Sequence, residues 1–401
     1  MNLNDIVIIG GCRLPIGRFG GSLRDFKVYE LGAKAIEAAV AGSTLPPEDV
    51  GEVFVAHNRQ SGNGPNPGRT AAVFAGIPAR VPAHTINMAC PAGLRATVEA
   101  AQAVQLGEID AAVVCGMESM STIPHILPNA RWETFRRGNI VIEDDFFSTV
   151  EPLSGLSALG LAERTAQKFR ISREQQETYA VESHRKAATA WEQGWFDDEV
   201  IPIELPANKS RASIQFQKDE CFRADTSTEK MSQLKPALTD GTVTPATASG
   251  VTDGAGAFVM TTRAHAAAIG TVPAASLAAY VQVGLAPEDM LEGPAFAIPA
   301  VLKKAGTRLD DMDLLEVNEA FAAQVLANEQ VIGWDRTKLN VHGGAIALGH
   351  PTGFTGVRLI VSMCHALSIH DGTHGLVALC GGGGLGVAVI IKKRRLETLC
   401  D

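Results

Sequence analysis

The chain of 401 residues lacks the features that would place it in several protein classes. Its seven cysteines are odd in number and include no Cys-x-x-Cys pair, so free thiols in a reducing compartment are expected instead of a disulfide framework. Lysine and arginine number 35 against 44 aspartates and glutamates, and the net charge of −9 argues against nucleic acid as the main partner.

Targeting and membrane signals are also missing from the sequence. The N-terminal Met-Asn-Leu-Asn-Asp has neither a basic region nor an apolar signal core, and no uninterrupted apolar run reaches membrane-spanning length. We therefore expect a cytoplasmic protein with no membrane partner. His365, His370 and His374 lack the carboxylate or cysteine spacing of a metal site, so no metal is predicted.

Short apolar strands alternate with alanine-rich helices, which is typical of a layered α/β core. Residues 122–250 depart from this pattern, with many charges and few buried-strand patterns, and they contain a clear helix that has Ser172 as its N-cap. The predicted strands include residues 53–56, 111–116 and 274–283, and the predicted helices cover residues 29–41, 92–106, 173–193, 295–305 and 319–329.

Two segments that lie far apart in the chain have similar sequences. Residues 110–116 and 375–381 are both apolar strands that end in Cys-Gly, which suggests a duplicated α/β unit. We therefore predict an N-terminal half of residues 1–121 plus 251–270, an inserted loop domain of residues 122–250, and a C-terminal half of residues 271–401.

A glycine-rich run at residues 381–386 could be mistaken for a dinucleotide-binding fingerprint. That motif requires a helix after the glycines, so that the helix N-terminus meets the pyrophosphate. Here Val-Ala-Val-Ile-Ile follows, which is typical of a strand. The glycines are therefore predicted to form a strand-to-strand turn, and nicotinamide chemistry is not expected.

Cys90 stands where a strand-like segment, Thr85-Ile-Asn-Met, leads into a helix. Pro91 suits a first helical position, where its missing N–H costs nothing. A cysteine at a helix N-terminus lies where the dipole and free amides lower a thiol pKa. A lone cysteine is more often a buried structural residue, but this context favours a nucleophile.

His350 precedes Pro351 in a glycine-rich segment, and Cys380 ends an apolar strand before four glycines. The histidine could simply satisfy a turn, and Cys380 could be a buried strand residue, as we predict for Cys115. However, acyl transfer needs a base near the thiol and a donor for the thioester oxygen, and glycines allow the backbone close to a ligand. The combination favours acyl-transfer machinery.

These motifs, in their order along nearly the whole chain, resemble the thiolase family. Besides the segments around Cys90, His350 and Cys380, the matching motifs are Arg13-Leu-Pro-Ile-Gly, Phe19-Gly-Gly-Ser-Leu, Gly116-Met-Glu-Ser-Met-Ser, Ala248-Ser-Gly-Val-Thr-Asp-Gly and Asn318-Glu-Ala-Phe. The resemblance implies an α/β fold with a duplicated, layered α-β-α-β-α core and an inserted loop domain.

The resemblance also implies a role for each site residue. Cys90 would be the nucleophile that takes the acyl group from coenzyme A (CoA) as a thioester. His350 would activate Cys90 and donate to the substrate thioester oxygen, beside a water held by Asn318. Cys380 would be the acid/base at the α-carbon, and the amides of Cys90 and Gly382 would form a second oxyanion hole.

Substrates and partners follow from the same resemblance. Acyl-CoA, acetyl-CoA and free CoA would bind as substrates, with no cofactor held permanently, in a homodimer or homotetramer that serves fatty acid metabolism. By matching position, Ser249 would contact the pantetheine, Met290 would line the thioester pocket and Arg223 would face the nucleotide end. Lys209, Arg211 and Lys218 either add positive charge nearby or belong to a solvated loop.

Three positions depart from the family pattern. Ala92 replaces a serine after the nucleophile, so any hydrogen bond from that hydroxyl must be replaced. Leu159 lies in a segment that is typically His-Met-Gly, and Phe354 replaces an alanine after the histidine motif. The added phenyl ring is expected to reshape either the packing or the acyl pocket.

The leading hypothesis is an acetyl-CoA C-acetyltransferase or 3-ketoacyl-CoA thiolase that works through a Cys90 acyl-enzyme. One alternative is a decarboxylating condensing enzyme of the ketoacyl-synthase type, against which Cys380 argues. The other is a catalytically impaired thiolase-fold protein that only binds acyl-CoA. Retention of Cys90, Asn318, His350 and Cys380 argues against that alternative.

Overall fold

Ten strands form one mixed sheet in the computed structural model, which describes residues 3–132, 139–146, 150–207 and 212–393. Four further strands form two separate two-stranded sheets, β6 with β7 and β8 with β9. In chain order the strands are β1 (Ile6–Arg13), β2 (Gly17–Arg18), β3 (Glu52–Ala56), β4 (Ala83–Ile86), β5 (Ala111–Ser119), β6 (His125–Ile126), β7 (Glu143–Asp144), β8 (Ile203–Leu205), β9 (Ile214–Phe216), β10 (Thr252–Thr262), β11 (Ala275–Gly284), β12 (Leu314–Val317), β13 (His374–Gly381) and β14 (Leu385–Lys392).

Eleven α-helices lie in the described residues. They are α1 (Val28–Gly42), α2 (Pro67–Phe74), α3 (Ala92–Leu106), α4 (Ala158–Lys168), α5 (Arg173–Glu192), α6 (Thr228–Ser232), α7 (Arg263–Ala268), α8 (Gly293–Ala305), α9 (Ala322–Ile332), α10 (Ala345–Leu348) and α11 (Thr352–Ile369). Predicted and observed bounds agree closely for α3 and α5, and Ser172 caps α5 as expected, through its side chain and the N–H of Gln175.

The strand order repeats in the two halves, which confirms the predicted duplication. The N-terminal half runs β4-β3-β5-β10-β1, and the C-terminal half runs β12-β13-β14-β11. Each half contains a parallel pair, β3 with β5 and β12 with β13, and the next strand in the sheet, β10 or β14, is antiparallel to it. In the first half β4 pairs with β3 on the other side, and in the second half Leu339 pairs with Leu315 of β12 at the equivalent place. The halves join where Val7 and Ile8 of β1 pair with β11.

Helices α3 and α11 pack against each other and against strands of both halves, which makes them the central helical layer. Helices α1 and α2 cover the outer face of the N-terminal half, and α8 packs on the outer face of the C-terminal half beside α9. The predicted α-β-α-β-α layering is therefore confirmed. By length and composition α11 could cross a membrane, but 78% of it is buried in the fold, as expected of a core helix.

Helix α9 begins at Ala322, three residues after the predicted start at residue 319. The preceding segment is held outside the helix because the Glu319 carboxylate is buried and satisfied by distant partners. It accepts hydrogen bonds from Tyr179 Oη (2.8 Å), Ser183 Oγ (2.7 Å), Asn340 Nδ2 (2.9 Å) and the N–H of Ile346 (3.1 Å). This carboxylate joins α5 to the loop that carries Asn318 and to the turn before His350.

Phe354 packs into the core of the structure. The sequence had left open whether its ring changes the packing or the acyl pocket. Its side chain is fully buried, and its ring lies against the backbone of β10 at Gly254 and Gly256. A Cβ atom added at Gly256 would be 2.5 Å from Phe354 Cε2, and one at Gly254 would be 3.1 Å from Cδ1. The two glycines thus make room for the ring, so Phe354 alters packing.

This fit yields a stability prediction. Gly256→Ala should destabilise the protein by about 1–3 kcal/mol, because the new methyl group overlaps the Phe354 ring. In a Phe354→Ala background the same substitution should cost less, because the ring is gone. Urea unfolding of the four proteins measures the coupling.

Gly11→Ala provides a matched control, because a Cβ there would meet its nearest neighbour, Phe258 Cβ, at an ordinary 3.5 Å. If Gly256→Ala costs the same free energy of unfolding with and without the Phe354 ring, the packing account is wrong.

Candidate active site

Cys90 lies in the sharp connection between β4 and α3. The residue before it, Ala89, has a φ of +52°, a left-handed conformation that costs a residue with a side chain about 1–2 kcal/mol. Pro91 is the N-cap of α3, so the prediction that it occupies the first helical position was wrong by one residue. Cys90 therefore sits two residues before the helix, half-buried at its N-terminal end.

The sequence predicted a lowered pKa for the Cys90 thiol, and the structure shows the opposite net effect. Burial raises the pKa of Cys90 to about 11. The positive charge of Arg59 and hydrogen bonds from the amides of Cys90 and Gly382 lower this pKa, but by less than burial raises it. Desolvation of the thiolate outweighs the helix N-terminus. At neutral pH the Cys90 thiol is therefore protonated, and a nucleophilic role for it requires a base.

His350 has an unprotonated ring nitrogen, as a base requires. Its Nδ1 lies 2.7 Å from Thr355 Oγ1, and this hydroxyl donates its one proton to the Pro351 carbonyl at 3.0 Å. Nδ1 must then be the protonated nitrogen, and Nε2 carries the lone pair. Nε2 faces Asn318 Nδ2 at 3.5 Å. Burial lowers the pKa of His350 to about 4, so the ring is neutral at pH 7.

A glycine contact between α3 and α11 brings Cys90 and His350 towards each other. A Cβ at Gly93 would be 2.6 Å from Val357 N, and a Cβ at Gly356 would be 2.5 Å from Leu94 N. The backbones of the two first turns therefore touch. Cys90 lies two residues before α3 and His350 two residues before α11, each followed by a proline.

Cys380 comes from the hairpin of β13 and β14, whose glycines form the predicted strand-to-strand turn. A Cβ at Gly381 would be 2.4 Å from Pro91 Cδ, so only glycine allows the hairpin this close to the nucleophile loop. Burial and the neighbouring Cys90 raise the pKa of the Cys380 thiol. The amide of Gly382 acts on the Cys90 sulfur, so the structure places the Cys380 hairpin next to the Cys90 loop.

Glu118 links the loop after β3 to the start of α11, a role that no sequence motif predicted. Its fully buried carboxylate accepts hydrogen bonds from the N–H groups of Arg59 (3.2 Å) and Gly353 (2.9 Å) and from Thr352 Oγ1 (2.9 Å), and it pairs with His57 Nδ1 at 2.7 Å. Burial favours the protonated acid, but His57 and these donors keep the pKa of Glu118 below its usual value. An acidic residue inside an apolar strand was the available signal.

The residues matched to the pantetheine and thioester lie beside this centre. Ser249 donates its N–H to the Ala320 carbonyl at 3.0 Å, and the next carbonyl, of Gly250, accepts from the N–H of His350 at 3.0 Å. Met290 and Leu159 pack in an apolar cluster that includes Cys380 and Phe321. The Leu159 departure therefore falls in the wall next to the reacting centre. Ala92 is fully buried at the start of α3.

Arg223, which was matched to the nucleotide end, and the basic residues near it in the sequence have contacts outside the Cys90 centre. Arg223 donates its backbone N–H to His184 Nδ1 at 3.1 Å, and burial lowers the pKa of His184 to about 4. The Lys218 ammonium lies over the rings of Trp191 and Phe222, at 5.5 and 5.1 Å from their centroids. Lys209 and Arg211 lie outside the described residues.

Comparison with known proteins agrees with this geometry. Residues 6–264 match the family described as thiolase, N-terminal domain, and residues 271–393 match the family described as thiolase, C-terminal domain. The chain belongs to the thiolase family.

Named relatives match nearly the full length of this thiolase. The acetyl-CoA acetyltransferase of Cupriavidus necator is 41% identical over 395 residues, covering 98% of this chain and 100% of the relative. The mitochondrial acetyl-CoA acetyltransferase of Bos taurus is 37% identical over 396 residues, covering 98% of this chain and 92% of the relative. This thiolase is therefore an acyltransferase.

Solved structures give the same result. The structure of human mitochondrial 3-ketoacyl-CoA thiolase matches with a TM-score of 0.94 and 37% identity, and the match covers 98% of this chain and 100% of the human chain. The structure of the acetyl-CoA acetyltransferase of Bacillus anthracis matches with a TM-score of 0.93 and 39% identity, and the match covers 97% of this chain and 98% of the bacterial chain. Thiolase activity is thus favoured over a ketoacyl-synthase-like or impaired acyl-CoA-binding protein.

Proposed function

We propose that this thiolase transfers acyl groups reversibly between CoA thioesters through an acyl-enzyme on Cys90, with acetoacetyl-CoA as one 3-ketoacyl-CoA that it forms or cleaves. The observation that carries the proposal is the convergence of three segments. The Cys90 loop, the His350 loop and the Cys380 hairpin meet through the backbone contacts of Gly93, Gly356 and Gly381.

In the first half-reaction, His350 Nε2 takes the Cys90 proton as the sulfur attacks the acyl-CoA carbonyl. Transfer within the attack suits two groups whose charged forms are both disfavoured by burial. The amides of Cys90 and Gly382 then stabilise the oxyanion, each worth about 3–4 kcal/mol by analogy with other oxyanion holes. Cys380 donates its proton to the departing CoA sulfur and is left as a thiolate beside the His350 imidazolium.

In the second half-reaction, the Cys380 thiolate takes an α-proton from acetyl-CoA. His350 Nε2–H and a water on Asn318 stabilise the enolate oxygen, and the enolate carbon attacks the acyl-enzyme carbonyl. Collapse of the tetrahedral intermediate releases the Cys90 sulfur, which regains its proton from His350. Every proton is accounted for, and thiolysis is the same sequence in reverse.

Substrate binding is assigned to residues of the loop domain and of the C-terminal half. We propose that Ser249 contacts the pantetheine, that Met290 lines the thioester pocket and that Arg223 faces the nucleotide, with CoA thioesters as substrates and no permanently held cofactor. A solved relative, human mitochondrial 3-ketoacyl-CoA thiolase, is described in complex with CoA, which supports this assignment.

Assembly and location are proposed on less direct grounds. Within residues 122–250, the loop domain, Ile140, Val141 and Ile142 expose 59%, 68% and 63% of their surface as one apolar run. Exposed apolar patches commonly mark protein contacts, so we propose that this domain contributes to a homodimer or homotetramer. A cytoplasmic role in fatty acid metabolism accords with the free thiols of the described cysteines.

The acyl-enzyme can be detected directly. Mixing the protein with acetyl-CoA should add one acetyl group to Cys90, because the sulfur is the proposed nucleophile. Mass spectrometry of the intact protein and of its peptides measures the adduct. Cys90→Ala should remain unlabelled, and Cys364→Ala, which removes another buried thiol, should label normally. The absence of an adduct with every acyl-CoA tried would reject the proposed function.

The two cysteines should differ in the half-reaction that each makes possible. Cys380→Ala should still accept an acetyl group on Cys90, but more slowly, because CoA then leaves without the Cys380 proton. Condensation should fall by roughly 10²–10⁴-fold, the usual contribution of a positioned acid/base. Chromatography of acetoacetyl-CoA formed from acetyl-CoA measures the loss. Cys115→Ala, which changes a buried strand thiol in the other half, is the matched control. Normal condensation by Cys380→Ala would refute its assignment as the acid/base.

A further inference from the structure

Arg59 belongs to a loop that is hydrogen-bonded to the Cys90 loop, although neither the motifs nor the proposed reaction uses it. Strands β3 and β4 are parallel and pair Ala56 with Ile86, so the residues that follow each strand emerge side by side at one edge of the sheet. Asn87 Nδ2 donates to the Asn58 carbonyl at 3.1 Å, which holds the two loops together. The Cys90 sulfur accordingly lies within the electrostatic field of Arg59.

The backbone of Arg59 is fixed, while most of its guanidinium donors remain available. Its N–H is held by Glu118, and the guanidinium lies 5.2 Å from the centroid of the Phe146 ring and donates one hydrogen bond, to the Asp145 carbonyl at 3.1 Å. A guanidinium has five N–H donors, so four of them have no acceptor within the part of the chain that the structure describes.

Charge pairing distinguishes Arg59 from the buried arginines of the fold. Arg13 pairs with Glu199 and Asp219, and Arg358 pairs with Glu316 at 3.1 Å. Across the described ranges, no salt bridge joins Arg59 to a carboxylate, although its side chain is only partly exposed. A half-buried cation next to a reacting centre is best satisfied by an anionic group of the substrate.

We propose that Arg59 selects acyl groups that end in a carboxylate, so that the preferred 3-ketoacyl-CoA is a short dicarboxylic one. The planar guanidinium fork matches a carboxylate in a bidentate pair. Arg59 belongs to the N-terminal half, at the end of β3, whereas the apolar cluster with Met290 and Leu159 belongs to the loop domain and the C-terminal half. The inference rests on the proposed thiolase reaction and names the substrate class of the same site.

The test compares two substrates of equal chain length. The enzyme is given free CoA with 3-oxohexanedioyl-CoA, which ends in a carboxylate, or with 3-oxohexanoyl-CoA, which ends in a methyl group. The wild type should have the higher kcat/KM with the dicarboxylic substrate. In Arg59→Gln the ratio of the two kcat/KM values should fall by roughly 10- to 100-fold, the range for a charge-assisted hydrogen-bonded pair.

Arg59→Lys should keep part of the preference, because it retains the charge without the fork. Arg24→Gln, which changes an exposed arginine paired with Asp25, is the matched control and should keep the wild-type ratio. Circular dichroism establishes that the variants are folded.

Two outcomes overturn the inference without touching the proposed function. One is a wild-type preference for the methyl-ended substrate. The other is an equal loss on both substrates in Arg59→Gln, which would mean that the arginine acts on the Cys90 sulfur alone. Failure of the wild type to cleave either substrate, or acetoacetyl-CoA, would instead count against the proposed function itself.

Discussion

The site depends on one contact, the crossing of α3 and α11 at Gly93 and Gly356. At both positions a Cβ atom would lie within 2.6 Å of the backbone of the opposite helix, so the two first turns can touch only because both residues are glycine. Each helix is preceded by a proline and then by a reacting side chain, Cys90 or His350. The duplicated fold thus supplies two equivalent helix ends and places different chemistry on each.

A second constraint is the burial of the reacting side chains. Burial keeps His350 neutral, with a pKa of about 4, and keeps the thiols of Cys90 and Cys380 protonated. Cys90, His350 and Cys380 are therefore uncharged at rest, and charge develops on them in pairs during the reaction, against donors that are already in place. Preorganised amides contribute most in such an environment, because no water has to reorient.

The sequence predicted the layers, the duplication and the three converging motifs, since apolar periodicity and glycine-flanked reactive residues are local signals. It could not predict which way Phe354 points, because that depends on the space left by Gly256 on a strand about a hundred residues away. The tautomer of His350 depends on Thr355, and the start of α9 on partners of Glu319 that come from α5. The thiol pKa was predicted with the wrong sign, because burial outweighed the helix N-terminus.

The central claim is that a neutral thiol and a neutral imidazole share one proton during acyl transfer. Rapid-quench measurement of the CoA released from acetyl-CoA in the first turnover tests it directly. With Cys90 near a pKa of about 11 and His350 near about 4, the neutral pair dominates throughout the working range. The account predicts one CoA per active site at a rate that is constant between about pH 6 and 8. A rate that rises roughly tenfold per pH unit, as for attack by a preformed thiolate alone, would contradict it.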